Sequence, residues 1–291
     1  MRGKNNMATL DHKIDFAVVF SVTKANPNGD PLNGNRPRQN YDGYGEVSDV
    51  ALKRKIRNRL LDMEESIFVQ SNDKKADGFN SLKERADANE ELVAALKVKK
   101  NNAELYAEAA CKAWFDVRSF GQVFAFKGSG KGVSVGVRGP VSIHTATSID
   151  PIDITSMQIT KSVNSETSET KGSDTMGMKH RVDFGVYKFY GSINTQLAEK
   201  TGFSNEDALK LKNALITLFE NDASSARPDG SMEVLKVCWW EHNSKLGQYS
   251  SAKVHRLLEI NRLKDEPKCA NDYEIIVHEL EGLKAEIIDG L

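Results

Sequence analysis

The chain has few cysteines, no metal-binding pattern and no long apolar segment. Its three cysteines, Cys111, Cys238 and Cys269, are far apart and form no CxxC pair, so neither a disulfide framework nor a zinc site is predicted. Its six histidines are scattered without ligand spacing, and we expect no metal site. No apolar run approaches the length of a membrane-spanning helix, and residues 1–10 lack the apolar core of a secretory signal. These absences predict a cytoplasmic protein with no membrane partner.

Charge is balanced over the whole chain but not along it. The 291 residues, 39% hydrophobic and 28% charged, carry a formal net charge of −1, which fits a globular protein of one large or two modest domains. Residues 36–59, however, contain seven Lys or Arg against three acids. A local excess of positive charge suits a groove that binds a polyanion, while the remaining surface keeps the protein soluble.

The first elements follow from periodicity and turn chemistry. Residues 14–22 alternate large apolar side chains with small or polar ones, and this period of two predicts a strand with one face on a core. The Pro, Asn and Gly residues of 26–38 favour turns and oppose both helix and sheet. The spacing over 48–62 predicts a helix that buries a Leu/Ile face and projects its cations outward.

The cations of this helix have no obvious partners in the sequence. Five of them occupy the seven positions 53–59, and they lack acids at i+4. They therefore repel one another unless a polyanion neutralises them. The alternatives are that 48–62 is a solvated charged helix and that 26–38 is an ordinary long surface turn.

The rest of the chain mixes helical and strand patterns. Residues 155–179 are rich in Ser, Thr and Gly with few large apolar side chains, which predicts a projecting loop, with disorder as the alternative. The order strand, helix, strands, helix, strand predicts an α+β fold on a split βαβ or RNA-recognition-motif (RRM) plan with large insertions. Helical spacing marks 62–114 and 205–220, and strand patterns mark 115–126, 133–143, 184–193 and 232–240.

Three short motifs resemble one family. They are 26–31 (NPNGDP), 48–57 (SDVALKRKIR) and 114–121 (WFDVRSFG). In sequence and spacing they resemble the backbone subunit of the CRISPR Cascade surveillance complex, in the type I-C branch of the "Cas-seven" family. The resemblance implies an RRM-like (ferredoxin-like) palm with an antiparallel sheet, a helical fingers insertion and an extended thumb loop. The implied boundaries are 10–61 and 115–260 for the palm, 62–114 for the insertion, 155–181 for the thumb and 261–291 for an acidic C-terminal periphery.

The resemblance also implies a function. Copies of this chain would polymerise along the guide spacer of a CRISPR RNA and present it for pairing with invading DNA in antiviral defence. The implied partners are CRISPR RNA, target DNA, other copies, the large subunit, the RNA-processing subunit and a recruited helicase-nuclease. No cofactor and no catalysis are implied. In agreement, segment 128–132 resembles a phosphate loop but lacks its first glycine and its metal-binding Ser or Thr.

The candidate RNA contacts fall in three groups. In the loop and helix, the Asn28 and Gly29 region would approach phosphate closely, while cations neutralise the backbone. In the thumb, methionines would wedge between nucleotides and cations would grip phosphate. For Arg118, an ion pair with Asp116 or another nearby carboxylate is the structural alternative. The full predicted set is Asn28, Gly29, Arg36, Arg38, Lys53, Arg54, Arg57, Arg118, Lys161, Lys171, Met176, Met178, Lys179 and Arg181.

Two other functions compete with this hypothesis. In RNA-cleaving relatives from another CRISPR branch, an acid in the loop after the first strand cuts target RNA, and Asp30 lies in that region here. Its position between Gly29 and Pro31 favours a turn-capping role instead. The second competitor is a protein-interaction scaffold whose basic helix binds an acidic partner.

Overall fold

The computed structural model describes residues 8–126, 133–160 and 176–291. Residues Lys161 and Lys171 and the segment 128–132 lie outside the described residues. Within them, eight α-helices form: α1 Asp49–Asp62, α2 Leu82–Asp87, α3 Glu90–Lys97, α4 Asn102–Ala113, α5 Phe115–Phe120, α6 Thr195–Thr201, α7 Asn205–Ile216 and α8 Ser251–His255. None of these helices is long and apolar enough to cross a membrane.

The described residues also form fourteen strands. The first seven are β1 Ile14–Ala25, β2 Gly29–Asp30, β3 Arg36–Pro37, β4 Tyr44–Val47, β5 Gly121–Phe126, β6 Val133–Arg138 and β7 Val141–Ile143. The others are β8 Ala146–Pro151, β9 Ile154–Thr160, β10 Met176–Ile193, β11 Met232–Glu241, β12 Leu258–Arg262, β13 Tyr273–Val277 and β14 Glu286–Asp289.

A large antiparallel sheet organises this α+β fold. Its path runs β14-β11-β1-β10-β8-β4, and β7 and β9 pair with other parts of β10. Strand β1 is central: it pairs with β10 from Ile14 opposite Ile193 to Ala25 opposite Val182, and with β11 on its other side. The alternation over 14–22 correctly predicted this strand.

The expectation that only one face of β1 is buried was wrong. Phe16, Val18 and Phe20 lie in one core and Ala17 and Val19 in another. The sheet is covered on both faces, so the small residues between the aromatics are as buried as the aromatics themselves.

Helices α1 and α7 cover the first face. The predicted apolar face of α1, formed by Leu52, Ile56 and Leu60, is buried against this core together with Leu211 and Leu215 of α7. Burial of each such side chain contributes about 1.5–3 kcal/mol. The predicted N-cap also forms, because the Ser48 hydroxyl accepts a hydrogen bond from the Ala51 backbone N–H at 3.2 Å.

A second core is formed by residues that lie between α1 and β6 in the sequence. It contains Phe68 from the segment before α2, Tyr106 of α4, Trp114 immediately before α5 and Phe124 of β5. The helical structure predicted for 62–114 forms as the last residue of α1 and as helices α2, α3 and α4.

The strand predicted for 115–126 was wrong in its first half. Residues Phe115–Phe120 form α5, in which the Ser119 hydroxyl donates to the Phe115 carbonyl at 2.7 Å. Gly121 then ends the helix with φ of +81°, and a Cβ there would lie 2.3 Å from the Val137 carbonyl oxygen. The chain therefore turns sharply into β5, and the turn requires glycine.

The projecting loop predicted for 155–179 is also corrected. In its described parts, β9 pairs antiparallel with β10 from Ile154 opposite Val182 to Thr160 opposite Met176. Backbone hydrogen bonds between the two strands maintain this hairpin although many of its side chains are exposed. A composition poor in large apolar residues did not reveal that pairing.

The acidic C-terminal segment is integrated into the fold. Strand β14 pairs with β11 at the edge of the large sheet, and β12 and β13 form a separate hairpin. Tyr273 and Leu283 are buried in the core on the second face of the sheet. This part of the predicted acidic C-terminal periphery, 261–291, is therefore packed into the fold.

Candidate functional site

The loop after β1 is an ordered hairpin. Its strands β2 and β3 pair, and the buried Asn26 side chain donates from Nδ2 to the Asn35 carbonyl at 2.6 Å. A Cβ on Gly29 would lie 3.0 Å from that same carbonyl oxygen. The hairpin is therefore tightly closed at Gly29, where a larger residue would have to displace the Asn35 carbonyl by a few tenths of an ångström.

Asn28 joins this hairpin to α1. Its Oδ1 accepts a hydrogen bond from the backbone N–H of Ser48 at 3.0 Å, and its own carbonyl accepts from the Arg38 N–H at 3.1 Å. The Asn28 side chain thus positions the start of the basic helix relative to the loop. Its predicted contact with RNA stays a prediction.

Asp30 caps a short turn. Its Oδ1 accepts from the Leu32 N–H at 3.2 Å at the start of the 3-10 turn Pro31–Asn33, and it lies 3.4 Å from Arg38 Nη2. No group of three His, Cys, Asp or Glu side chains that could hold a metal occurs in the described residues. This geometry matches the turn-capping alternative for Asp30.

Arg36 reaches from the loop to the β9–β10 hairpin. Its Nη1 donates to the Ser156 hydroxyl oxygen at 2.8 Å, and the same oxygen lies 2.8 Å from Nδ1 of His180. Ser156 and His180 face each other across the two strands. The structure therefore brings the loop and the predicted thumb together at one junction.

Four of the five cations of α1 have acidic partners among the described residues, contrary to the expectation from sequence. Lys53 pairs with Asp49 at 3.0 Å, and Arg54, half exposed at 52%, pairs with Asp73 at 3.2 Å. Asp49 lies one turn before Lys53 on the same helix, whereas Asp73 comes from another part of the chain, which a search at i+4 does not reach. Lys53 and Arg54 still lie near the surface, where such pairs are weak and a polyanion can compete for the cations.

Lys55 is the buried member of the group. It forms an ion pair with Asp222, and Arg227 shares that carboxylate at 3.1 Å. Burial lowers the pKa of Lys55 to about 8, although the charge of Asp222 acts in the opposite direction. This lysine therefore belongs to the interior of the fold.

Arg57 points inward, so its predicted outward projection was wrong. Its side chain is only 13% exposed, and its Nε lies 2.8 Å from Oδ2 of Asp116. Asp116 in turn accepts from the backbone N–H groups of Phe68 and Val69 at 2.7 and 3.1 Å. The guanidinium also lies 5.1 Å from the Phe120 ring centre. Arg57 thus connects α1 to the second core.

Arg118 forms the structural ion pair that was the alternative to an RNA contact. Its Nη2 and Nε lie 2.7 and 3.1 Å from the two carboxylate oxygens of Asp207. Asp207 also accepts from the Ser204 N–H at 2.9 Å and completes the capping box of α7. This bidentate pair uses one edge of the guanidinium and fixes its orientation, and the geometry does not favour the predicted RNA contact.

The hairpin presents exposed apolar and cationic side chains. Met176 and Met178 are 60% and 55% exposed, and they share one face because they alternate with Gly177 along β10. Lys179 is exposed, whereas Arg181 lies 3.6 Å from Asp183. These four residues keep the chemistry that a nucleotide-wedging thumb requires.

Ser156 and His180 are the polar residues that sequence reasoning missed at this junction. They belong to strands whose pairing joins positions 24 residues apart, and no local period relates such positions. The register of the β9–β10 hairpin brings them together, and the β2–β3 hairpin places Arg36 beside them.

A comparison with known families settles the relationship. The family described as CRISPR-associated protein Cas7 matches residues 12–278. The chain belongs to the Cas7 family. A Cas7 relative from Haloferax volcanii, described as "CRISPR-associated protein Cas7", is 26% identical over 271 residues, which cover 87% of this chain and 76% of the relative.

Two solved structures overlap this Cas7 chain in part. A chain of a "CRISPR RNA-guided surveillance complex, pre-nicking" covers 78% of this chain and 75% of its own length at 17% identity, with a TM-score of 0.48. A chain of a "CRISPR RNA-guided surveillance complex" covers 78% and 68% at 16% identity, with a TM-score of 0.43.

Proposed function

We propose that this Cas7 chain is the CRISPR RNA-binding backbone subunit of a type I-C Cascade surveillance complex. Several copies polymerise along the guide spacer and present it for pairing with invading DNA. The subunit binds RNA by shape and charge, so the base edges of the guide stay free. It acts as a scaffold and carries out no chemical step.

The arrangement of the large sheet supports an RRM-like palm. Its central strands lie in the order β11-β1-β10-β8, all antiparallel. Along the chain these strands alternate with α1 and α7 in the order β1, α1, β8, β10, α7, β11. This is the plan of a split βαβ fold. In this proposal α2, α3 and α4 form the fingers and the β9–β10 hairpin forms the thumb.

The observation that carries the proposal is the junction of loop and hairpin. Arg36 there donates a hydrogen bond to Ser156 of the hairpin, while exposed Met176 and Met178 lie further along the same hairpin. Cations that follow an RNA backbone and apolar side chains that interrupt its base stack are both needed by a protein that covers RNA without reading its sequence.

The partners follow from this role. They are CRISPR RNA, target DNA, other copies of the chain, the large subunit and the RNA-processing subunit, together with a helicase-nuclease recruited to the complex. Purification offers a direct test. The chain produced with a CRISPR RNA should elute as a multi-copy particle with a high 260 to 280 nm absorbance ratio, and should elute as a smaller species after ribonuclease treatment. Elution as an RNA-free monomer in both cases contradicts the proposal.

A further inference from the structure

The junction between loop and hairpin has the donors of an anion-binding site. Arg36 comes from β3, Ser156 from β9 and His180 from β10, and the Ser156 oxygen lies 2.8 Å from a nitrogen of each of the other two. Three polar side chains from three strands therefore converge on one point. Ser156 is exposed, and Arg36 and His180 are partly exposed.

Arg36 and His180 differ from four basic residues of the predicted site in their lack of a nearby carboxylate among the described residues. Lys53, Arg54, Arg57 and Arg118 each lie within 3.2 Å of a carboxylate. In the described part of the chain, Arg36 and His180 have no carboxylate within 4.0 Å. Among the described residues the junction is thus a positive surface without an ion-pairing carboxylate, and an anion is its natural complement.

Other charged groups lie around the junction. Lys179 and Arg181 precede and follow His180 along β10, but adjacent side chains of a strand project from opposite faces, so neither shares its face. Asp30 lies opposite Arg36 in the β2–β3 pair, 3.4 Å from Arg38. Asp183 lies 2.6 Å from the Thr155 hydroxyl and 3.6 Å from Arg181.

We propose that Arg36, Ser156 and His180 form a binding site for an RNA phosphate. The inference rests on the proposed RNA-binding function and adds two residues to it. Arg36 supplies a fixed positive charge, and the Ser156 hydroxyl and the His180 imidazole are groups that can donate a hydrogen bond to a phosphate oxygen.

The test measures binding of a labelled single-stranded RNA to the purified full chain by fluorescence anisotropy at several salt concentrations. We expect Arg36→Gln to weaken binding about threefold to fivefold, the range of one solvent-exposed charge interaction. It should also reduce the salt slope by about 0.7, the value for one lost contact on a single strand. Ser156→Ala and His180→Ala should each weaken binding about twofold to tenfold, the range of one hydrogen bond.

The control is His278→Ala, which removes an exposed histidine on the C-terminal side that is paired with Glu259. It should bind RNA as the wild type does. If the wild type binds RNA and Arg36→Gln, Ser156→Ala and His180→Ala all bind it with the same affinity and salt slope, the phosphate site is overturned while the proposed function stands. If the wild type binds no RNA, the proposed function itself fails. Circular dichroism of each variant verifies folding.

Discussion

Arg57 and Asp116 form an ion pair that links the basic helix to the second core, with Nε 2.8 Å from Oδ2. Asp116 is 1% exposed, and its oxygens also accept two backbone N–H groups from the segment before α2. This carboxylate organises a crossing point between α1, α5 and the chain that leaves α1. The pair therefore serves the fold, although it lies within the most basic segment of the sequence.

Removal of Arg57 should destabilise the protein. Because Asp116 would be left as a buried charge without its cationic partner, Arg57→Ala should lower the free energy of unfolding by about 3–5 kcal/mol. Arg54→Ala, with its exposed partner Asp73, should cost less than about 1 kcal/mol. Urea unfolding of the two variants measures the contrast. Equal effects of the two substitutions would refute the structural role of Arg57.

The accessible cations of α1, Lys53 and Arg54, should contribute to RNA binding. The double variant Lys53→Gln with Arg54→Gln should bind all guide sequences more weakly by a similar factor. Its salt slope should fall by up to about 1.4, because each lost phosphate contact on a single strand lowers the slope by about 0.7. Filter binding with two unrelated RNAs at several salt concentrations measures both. An unchanged slope would show that this surface of α1 does not face RNA.

The exposed methionines of the hairpin should affect assembly and leave stability unchanged. Met176 and Met178 are more than half exposed, so replacing both with Ser removes little buried area and should change the free energy of unfolding by less than about 0.5 kcal/mol. Assembly on CRISPR RNA, measured by size-exclusion chromatography, should weaken. Leu246→Ser, at a similarly exposed site elsewhere, is the control. Full-length particles from the double variant would remove the methionines from the interface.

Asp30→Asn should leave RNA intact and assembly unchanged. Asparagine keeps an oxygen that can accept from the Leu32 N–H, while the exposed ion pair with Arg38 is lost at a cost of at most about 1 kcal/mol. Target RNA incubated with the wild type in magnesium or manganese should remain uncut. Cutting at regular intervals by the wild type, and none by Asp30→Asn, would instead make this chain a ribonuclease.

Lys55 should make stability increase in alkaline solution. Its pKa is lowered in the folded state to about 8 from 10.5, so between these values the unfolded chain binds more protons and the free energy of unfolding rises with pH. Below about pH 8 both states are protonated and this dependence vanishes. The rise is at most about 1.4 kcal/mol per pH unit. Urea unfolding of the wild type and Lys55→Met across this window tests it, since the variant should lack the increment.

The sequence predicted the elements whose signals are local. Strand β1, the apolar face of α1 and its Ser48 cap all form where periodicity and capping chemistry place them. The same local rules failed at α5, where apolar spacing did not separate a short helix from a strand. They also failed at β9, which is held by pairing with β10 rather than by burial.

The candidate site was harder to predict because charge in the sequence does not reveal its partner. Asp116 and Asp207 lie 59 and 89 residues from Arg57 and Arg118, so only the tertiary fold shows that both arginines are paired. Arg36 was identified from its loop. Its neighbours Ser156 and His180 required the register of a hairpin whose two strands are distant in sequence.

Strand β10 has a mechanical consequence. Its 18 residues run without interruption from Met176 in the hairpin to Ile193 beside β1, a continuous strand of about 60 Å at about 3.3 Å per residue. The hairpin and the centre of the sheet are thus one piece of backbone with no loop between them. A force applied to the hairpin by a neighbouring molecule is transmitted along β10 into the middle of the sheet, so hairpin and sheet should tilt together as a lever rather than bend at a hinge.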